Sequence, residues 1–200
     1  VKTIGLIGVA STQETAAYLE AIDRAIAGRL GCGHTPKVLL RTFDSAHIAL
    51  LVSQGKWPML ADKMAGAARN LQDAGANCVA LCGLGMHAAA GEIEQAVHIP
   101  FLHLLDSAAA EIRRLALRKV ALLYAGSPAQ ICYLSAELNR RLGRRVLIPC
   151  RNANEVVKRR AGAAIVDYAS PSATACAARG IIVLDTLAIH ARAIAEYAIS

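Results

Sequence analysis

Short apolar runs alternate with stretches of helical periodicity along the whole chain. The runs predict strands over residues 2–8, 37–43, 76–82, 100–104, 118–124, 145–149, 163–168 and 181–185. The periodic stretches predict helices over 12–30, 58–74, 87–97, 107–116, 128–142 and 188–199. Strands that alternate with helices build parallel sheets through βαβ units. Ser11 or Thr12 can cap the first helix by accepting a hydrogen bond from an orphan backbone N–H, and Leu30-Gly31 marks its end. Pro128 suits a first helical turn, where its missing N–H costs nothing.

The pattern occurs twice. Lys2-Thr3-Ile4-Gly5-Leu6-Ile7-Gly8 is echoed by Arg118-Lys119-Val120-Ala121-Leu122-Leu123-Tyr124. Gly75-Ala76 and the run to Cys82 return loosely from Gly162-Ala163 to Tyr168, and Ile99–Ser107 returns as Gly180–Thr186. The fold class expected is α/β, with two pseudo-symmetric lobes, each a parallel sheet flanked by helices, and an interlobe cleft. The first lobe is assigned residues 1–105 plus the C-terminal helix 187–200, and the second, shortened lobe residues 106–186. Ligands of open parallel sheets bind beyond the carboxyl ends of the strands. That rule nominates the loops 8–12, 43–47, 83–87, 124–128 and 168–172.

Composition narrows the class. Hydrophobic residues make up 55% of the chain but aromatics only 4%, as expected where Ala-rich helices pack on aliphatic strands. No apolar run approaches the ~18–20 residues that cross a bilayer, and no signal-peptide pattern opens the sequence, so a cytoplasmic protein without membrane contact is expected. The six cysteines form no Cys-x-x-Cys pair and have no histidine at zinc-finger spacing. Buried free thiols and no metal are the expectation. The net charge of +7 comes with many cations in the second half, among them Arg113, Arg114, Arg140, Arg141, Arg159 and Arg160. No stacking aromatics interleave with them, so solvated helix ends explain them better than nucleic-acid binding.

At the nominated loops the chain resembles the aspartate/glutamate racemase superfamily, whose members are two-lobed and cofactor-independent. The resemblance rests on residues 2–8 with Ser11 and Thr15, on Gly75-Ala76 leading to Leu81-Cys82 and Met86-His87, on Ile99–His103, and on Asp185-Thr186 with Ile189-His190-Ala191. It implies one catalytic cysteine per lobe, one thiolate removing the α-proton and the opposite thiol returning one. The family's first cysteine opens a Cys-Asn-Thr-x-His motif, and here that motif reads Gly83-Leu84-Gly85-Met86-His87. Its second, in Gly-Cys-Thr-Glu, falls on Ala169 of Tyr168-Ala169-Ser170-Pro171, in a register open by a residue or two. The Gly-Gly-Met-Ser-Trp loop reads Gly8-Val9-Ala10-Ser11-Thr12, and a Gly-Thr reads Tyr124-Ala125.

General acid–base groups contribute roughly 10²–10⁴-fold each, so loss of both thiols disfavours ordinary amino-acid racemisation. The replacements are small or apolar, which suits a larger and less polar ligand. The resulting expectation is a repurposed isomerase- or cyclase-type enzyme, of the kind natural-product biosynthesis uses, that needs no cofactor. Tyr124, Tyr168 and Asp44 are the candidate acid–base groups. Ser11, Thr12, Gly83, Leu84, Gly85, Ala125, Ala169 and Ser170 are the candidate substrate-binding positions. His87, His103 and His190 are read as structural, and side-chain packing competes with chemistry for both tyrosines. A non-catalytic binding or assembly protein of the same fold is one alternative, and residual racemisation through Cys82 another. The partners expected are a small-molecule ligand larger and more apolar than aspartate and, by resemblance, a second copy in a homodimer.

Overall fold

A computed structural model describes residues 1–9, 11–143 and 146–200. The chain divides into two compact units, Val1–His103 with His190–Ser200, and Leu104–Ile189.

The first unit runs β1 (Thr3–Gly8), α1 (Thr12–Leu30), β2 (Lys37–Thr42), α2 (Ser45–Ser53), α3 (Trp57–Asp73), β3 (Cys78–Leu81), a 3₁₀ segment (Leu84–Ala89), α4 (Ala90–Ala96) and β4 (Phe101–Leu102). Its four strands are parallel in the order β2-β1-β3-β4. β1 lies at the centre and is buried from Ile4 onward, whereas the edge strand β2 is largely exposed. The core on one face gathers Ile7, Leu60, Met64, Leu71, Val79 and Ile93. Each such side chain contributes roughly 1.5–3 kcal/mol on full burial. Gly5 lets α3 approach the sheet, because a Cβ there would meet the Cys78 carbonyl oxygen at 3.0 Å and Leu71 Cβ at 3.2 Å.

The second unit runs α5 (Leu104–Arg114), β5 (Val120–Leu123), α6 (Pro128–Leu142), β6 (Leu147–Pro149), α7 (Ala153–Lys158), β7 (Ala163–Val166), α8 (Pro171–Ala177) and β8 (Ile182–Asp185). Its strands are parallel in the order β6-β5-β7-β8. This is the first unit's order with β1, β3 and β4 replaced by their sequence echoes β5, β7 and β8 and with β6 in the place of β2, so the repeat read from the chain is a repeat of topology. The core here is built from smaller side chains, including Ala121, Leu123, Val156, Val166 and Cys176. The final helix α9 (Thr186–Ile199) begins in residues of the second unit and ends in residues of the first.

Helix termini follow the capping chemistry. Ser11 caps α1 by accepting from the Glu14 N–H, and Gly31 ends that helix at φ 95°. Ser127 and Gln130 form a reciprocal capping box around Pro128 at the start of α6. Several expected boundaries move. The helix expected over 87–97 is a 3₁₀ segment followed by α4, and the strand expected over 100–104 keeps only two residues. Helices α2, α7 and α8 were not anticipated. Arg145, with which the sixth strand was expected to begin, lies outside the described residues.

Charge is partitioned between the units. The first holds nine Lys/Arg and nine Asp/Glu, and the second thirteen and six, so the whole formal charge of +7 belongs to the second. Much of it sits near helix carboxyl ends, where cations oppose the macrodipole, as Arg113 and Arg114 on α5 and Arg140 and Arg141 on α6 do. No described helix is long and apolar enough to cross a membrane.

Candidate functional site

The carboxyl ends of β1 and β2 open onto a hollow of about 270 Å³ inside the first unit. Gly8, Ser11, Thr12 and Thr15 line one side, and Leu40, Thr42, Phe43 and Ser45 line another. Val9, Ala16 and Leu19 add apolar wall. Among the described residues no charged side chain lines it. Ser11 Oγ accepts from the Glu14 N–H at 3.0 Å, while the Thr15 hydroxyl donates to the Ser11 carbonyl at 2.9 Å. Gly8 is required for that arrangement, since a Cβ there would lie 2.6 Å from Thr15 Oγ1. Hydroxyl-bearing residues at the start of α1 thus border a space with aliphatic and phenyl walls. Of the candidate site residues named from sequence, Ser11 and Thr12 lie in this hollow, as do Gly8, Val9, Phe43 and Ser45 of the nominated loops 8–12 and 43–47. Leu19, Leu40 and Thr42 escaped the sequence reading, because β2 and α1 look there like ordinary amphipathic elements.

The loop after β3 carries little reactive chemistry. Gly83 has φ 91° and ψ 120°, backbone that L side chains rarely adopt. Gly83, Leu84 and Gly85 are all buried, so the Leu84 side chain is turned away from solvent. Cys82 is buried as well, and burial together with the nearby Glu14 carboxylate pushes its thiol well up. It is therefore a neutral thiol at neutral pH and a poor base. Cys78 is likewise raised, to about 11, chiefly by burial. Asp44 is exposed and caps α2, its Oδ1 accepting from the Ala46 N–H at 3.0 Å.

Behind this loop three histidines pack together. The His87 and His103 rings are 4.5 Å apart, and His190 lies 5.8 Å from His87. His87 Nε2 donates to the Leu81 carbonyl at 3.1 Å. His190 Nε2 donates to the Leu102 carbonyl at 2.7 Å, and burial holds its pKa down at about 4. Hydrogen-bonded, buried imidazoles of this kind bind elements together.

In the second unit the nominated residues lie on the loops that follow β5 and β7. Tyr124 is half-buried and its hydroxyl accepts from Gln130 Nε2 at 3.3 Å. Gln130 Oε1 in turn accepts from the Ser127 N–H, which fixes the orientation of the amide. A Cβ on Gly126 would fall 1.9 Å from Tyr124 Cε1, so the tyrosine ring lies over that glycine. Ala125 is exposed beside it. After β7, Tyr168 is half-buried, Ala169 is exposed with φ 53°, and Ser170 caps α8 by accepting from Ser172. No group of three or more His, Cys, Asp or Glu side chains that could hold a metal occurs among the described residues.

A duplicated parallel α/β protein with its hollow at the strand ends defines the class. Residues 4–183 match the model of the Asp/Glu/hydantoin racemase family, and the chain belongs to that family. An Asp/Glu racemase-family protein from Yersinia pestis shares 25% identity over the full length of both chains, with a TM-score of 0.86. An aspartate racemase homologue from Pyrococcus horikoshii OT3 shares the fold at 17% identity over both full lengths, TM-score 0.81. Arylmalonate decarboxylase also shares the fold, at 17% identity, 96% and 92% coverage and a TM-score of 0.56.

Proposed function

We propose that this protein is a divergent racemase-fold enzyme that moves a proton at a carbon next to a carboxylate, without a cysteine pair, on a substrate larger and less polar than aspartate. The observation that carries this reading is the hollow at the ends of β1 and β2, which pairs hydroxyls with apolar walls and has no charged lining. A small dicarboxylate needs a second cationic or amide anchor, whereas one carboxylate with a hydrocarbon or aryl substituent matches these walls. The protonated state of Cys82 supports a chemistry that does not use it as a base. In this reading Ser11 and Thr12 orient the carboxylate. In the second unit the corresponding strand-end groups are Tyr124, Tyr168 and Ser170, beside Ala125 and Ala169. Gly83, Leu84 and Gly85 shape the loop.

The test is hydrogen–deuterium exchange at the α-carbon, followed by NMR in D₂O, on phenylmalonate, 2-phenylpropionate, aspartate and glutamate. Phenylmalonate is included because arylmalonate decarboxylase shares the fold. Exchange or turnover of the aryl acids with none of the amino acids is the expected result. Exchange of aspartate or glutamate that disappears in Cys82→Ala would overturn the proposal in favour of residual racemisation. Thermal stabilisation by the aryl acids without any exchange would favour the non-catalytic binding protein, since a ligand stabilises the native state by mass action. That second reading draws on one observation, the use of the Asp44 carboxylate as a helix cap.

A further inference from the structure

The second unit contains a groove that the reading above does not use. It has a volume of about 1180 Å³ and runs between α6 and the edge strand β6. On α6 the lining residues Ile131, Cys132, Ser135, Ala136 and Asn139 form one helical stripe. Opposite them stand Leu147, Ile148 and Pro149 of β6, and Arg151 and Asn152 lie where the chain leaves that strand.

Three features say what the groove can take. The first is a blunted strand edge. On β6 the Cys150 N–H turns inward to the Leu122 carbonyl, so Leu147 and Pro149 face outward. The Leu147 N–H is spent on Asn139 Oδ1 at 3.0 Å and Pro149 has none, so an added strand would find no backbone donors at either outward position. The second is an apolar wall, since Ile131, Ala136, Leu147 and Ile148 line the groove between α6 and β6. The third is charge. Glu155 pairs with Arg159 at 2.9 Å and accepts the Arg151 N–H at 2.9 Å, which holds its carboxyl below the usual range. The Arg151 guanidinium is exposed and makes no ion pair among the described residues. One net positive charge is thus left at the Arg151 end.

We propose that this groove binds a small amphipathic organic anion, with its carboxylate on Arg151 and its hydrocarbon chain along the apolar residues of the α6 stripe. Pro128 and Arg151 mark the same end of the groove, because α6 starts and β6 finishes at the carboxyl end of the sheet. From there the stripe extends to Asn139, about 16 Å at 1.5 Å per residue, which accommodates a chain of eight to ten carbons. The site lies wholly in the second unit and stands whether or not the proposed reaction does.

The probe is octanoate, with octanol as its uncharged counterpart, added to the full-length protein. Calorimetry is expected to show saturable octanoate binding that Arg151→Met weakens about tenfold, with octanol at least as weak. Cys132, which is exposed and lines the groove, reports occupancy, and the exposed Cys32 of the first unit is the internal control. Octanoate should slow alkylation of Cys132 by iodoacetamide and leave Cys32 unaffected. Because Arg151 is a surface residue, its variant should unfold at the wild-type temperature. Equal affinity in Arg151→Met, or undiminished alkylation of Cys132 at saturating octanoate, would overturn the proposal.

Discussion

Tyr18 and His190, 172 positions apart, meet through a hydrogen bond of 3.2 Å between the phenol oxygen and Nδ1. The roles are fixed, because the Leu102 carbonyl can only accept and so Nε2 holds the imidazole proton. Neutral Nδ1 must then accept, and Tyr18 donates. Both side chains are fully buried, so α1, β4 and α9 are tied by a polar chain inside the core.

That arrangement makes stability depend on pH. The folded pKa of about 4 lies below the ordinary imidazole value of 6.5, so the unfolded chain takes up a proton before the native state does. Stability from this group is complete above about pH 6.5 and falls by about 1.4 kcal/mol per pH unit toward pH 4, some 3 kcal/mol in all. Urea titrations at pH 7 and 4.5 should show the loss, and His190→Gln should flatten the slope over this window while lowering stability at pH 7.

Tyr18→Phe isolates the same bond at constant shape. It leaves Nδ1 of His190 buried without its donor, and the expected cost is about 1–3 kcal/mol in denaturant unfolding. A change below a few tenths would mean that the hydroxyl is not holding the ring.

Two glycines should respond in opposite directions to alanine. Gly83 has φ 91° at the end of β3, and Gly83→Ala should cost about 1–3 kcal/mol. Gly28 lies inside α1 with nothing within 4 Å of a would-be Cβ, and Gly28→Ala should stabilise by about 0.4–1 kcal/mol. Thermal melts of the two variants give the sign directly.

Gly126→Ala should move Tyr124 without unfolding the protein. The new methyl would occupy space now taken by the ring, which must swing away and give up the bond from Gln130. A changed near-ultraviolet dichroism spectrum with little change in melting temperature is expected. If Tyr124 takes part in proton transfer, the same variant loses activity as completely as Tyr124→Phe.

Thiol reactivity should sort by exposure. Cys32 and Cys132 are exposed, whereas Cys78, Cys82, Cys150 and Cys176 are buried and all four have raised pKa values. Mass spectrometry after brief alkylation at pH 8 should find two modified cysteines in the native protein and six after unfolding. Early labelling of Cys82 would contradict its assignment as an inert thiol.

What could be read from the chain was what depends on local pattern. The limits of α1 and α6 follow from Ser11, Gly31 and Pro128, and the paired topology follows from the repeat. The helices that escaped are short. α7 and α8 have six and seven residues, too few for a periodic face, and α2 presents an apolar run in which helix and strand are indistinguishable. The loop residues 83–85 were visible as an unusual motif, but their burial was not, since nothing local records what packs over a loop. The hollow's rim fell in the nominated loops 8–12 and 43–47, but its Leu19 and Leu40 walls did not show, as they depend on how far β2 and α1 stand apart. The first unit's order of strands, by contrast, could be carried straight to the second.

The membership of α9 in both halves has a consequence for biosynthesis. Residues 104–189 are all synthesised before His190, so the second unit can close while the first still lacks Tyr18's partner and the strap that Lys2 and Ala198 form through their 2.8 Å backbone bond. The lobe that leaves the ribosome first is thus the last to be finished. A released chain that ends at Ile189 should protect its later half from proteolysis and leave the earlier half open to cleavage.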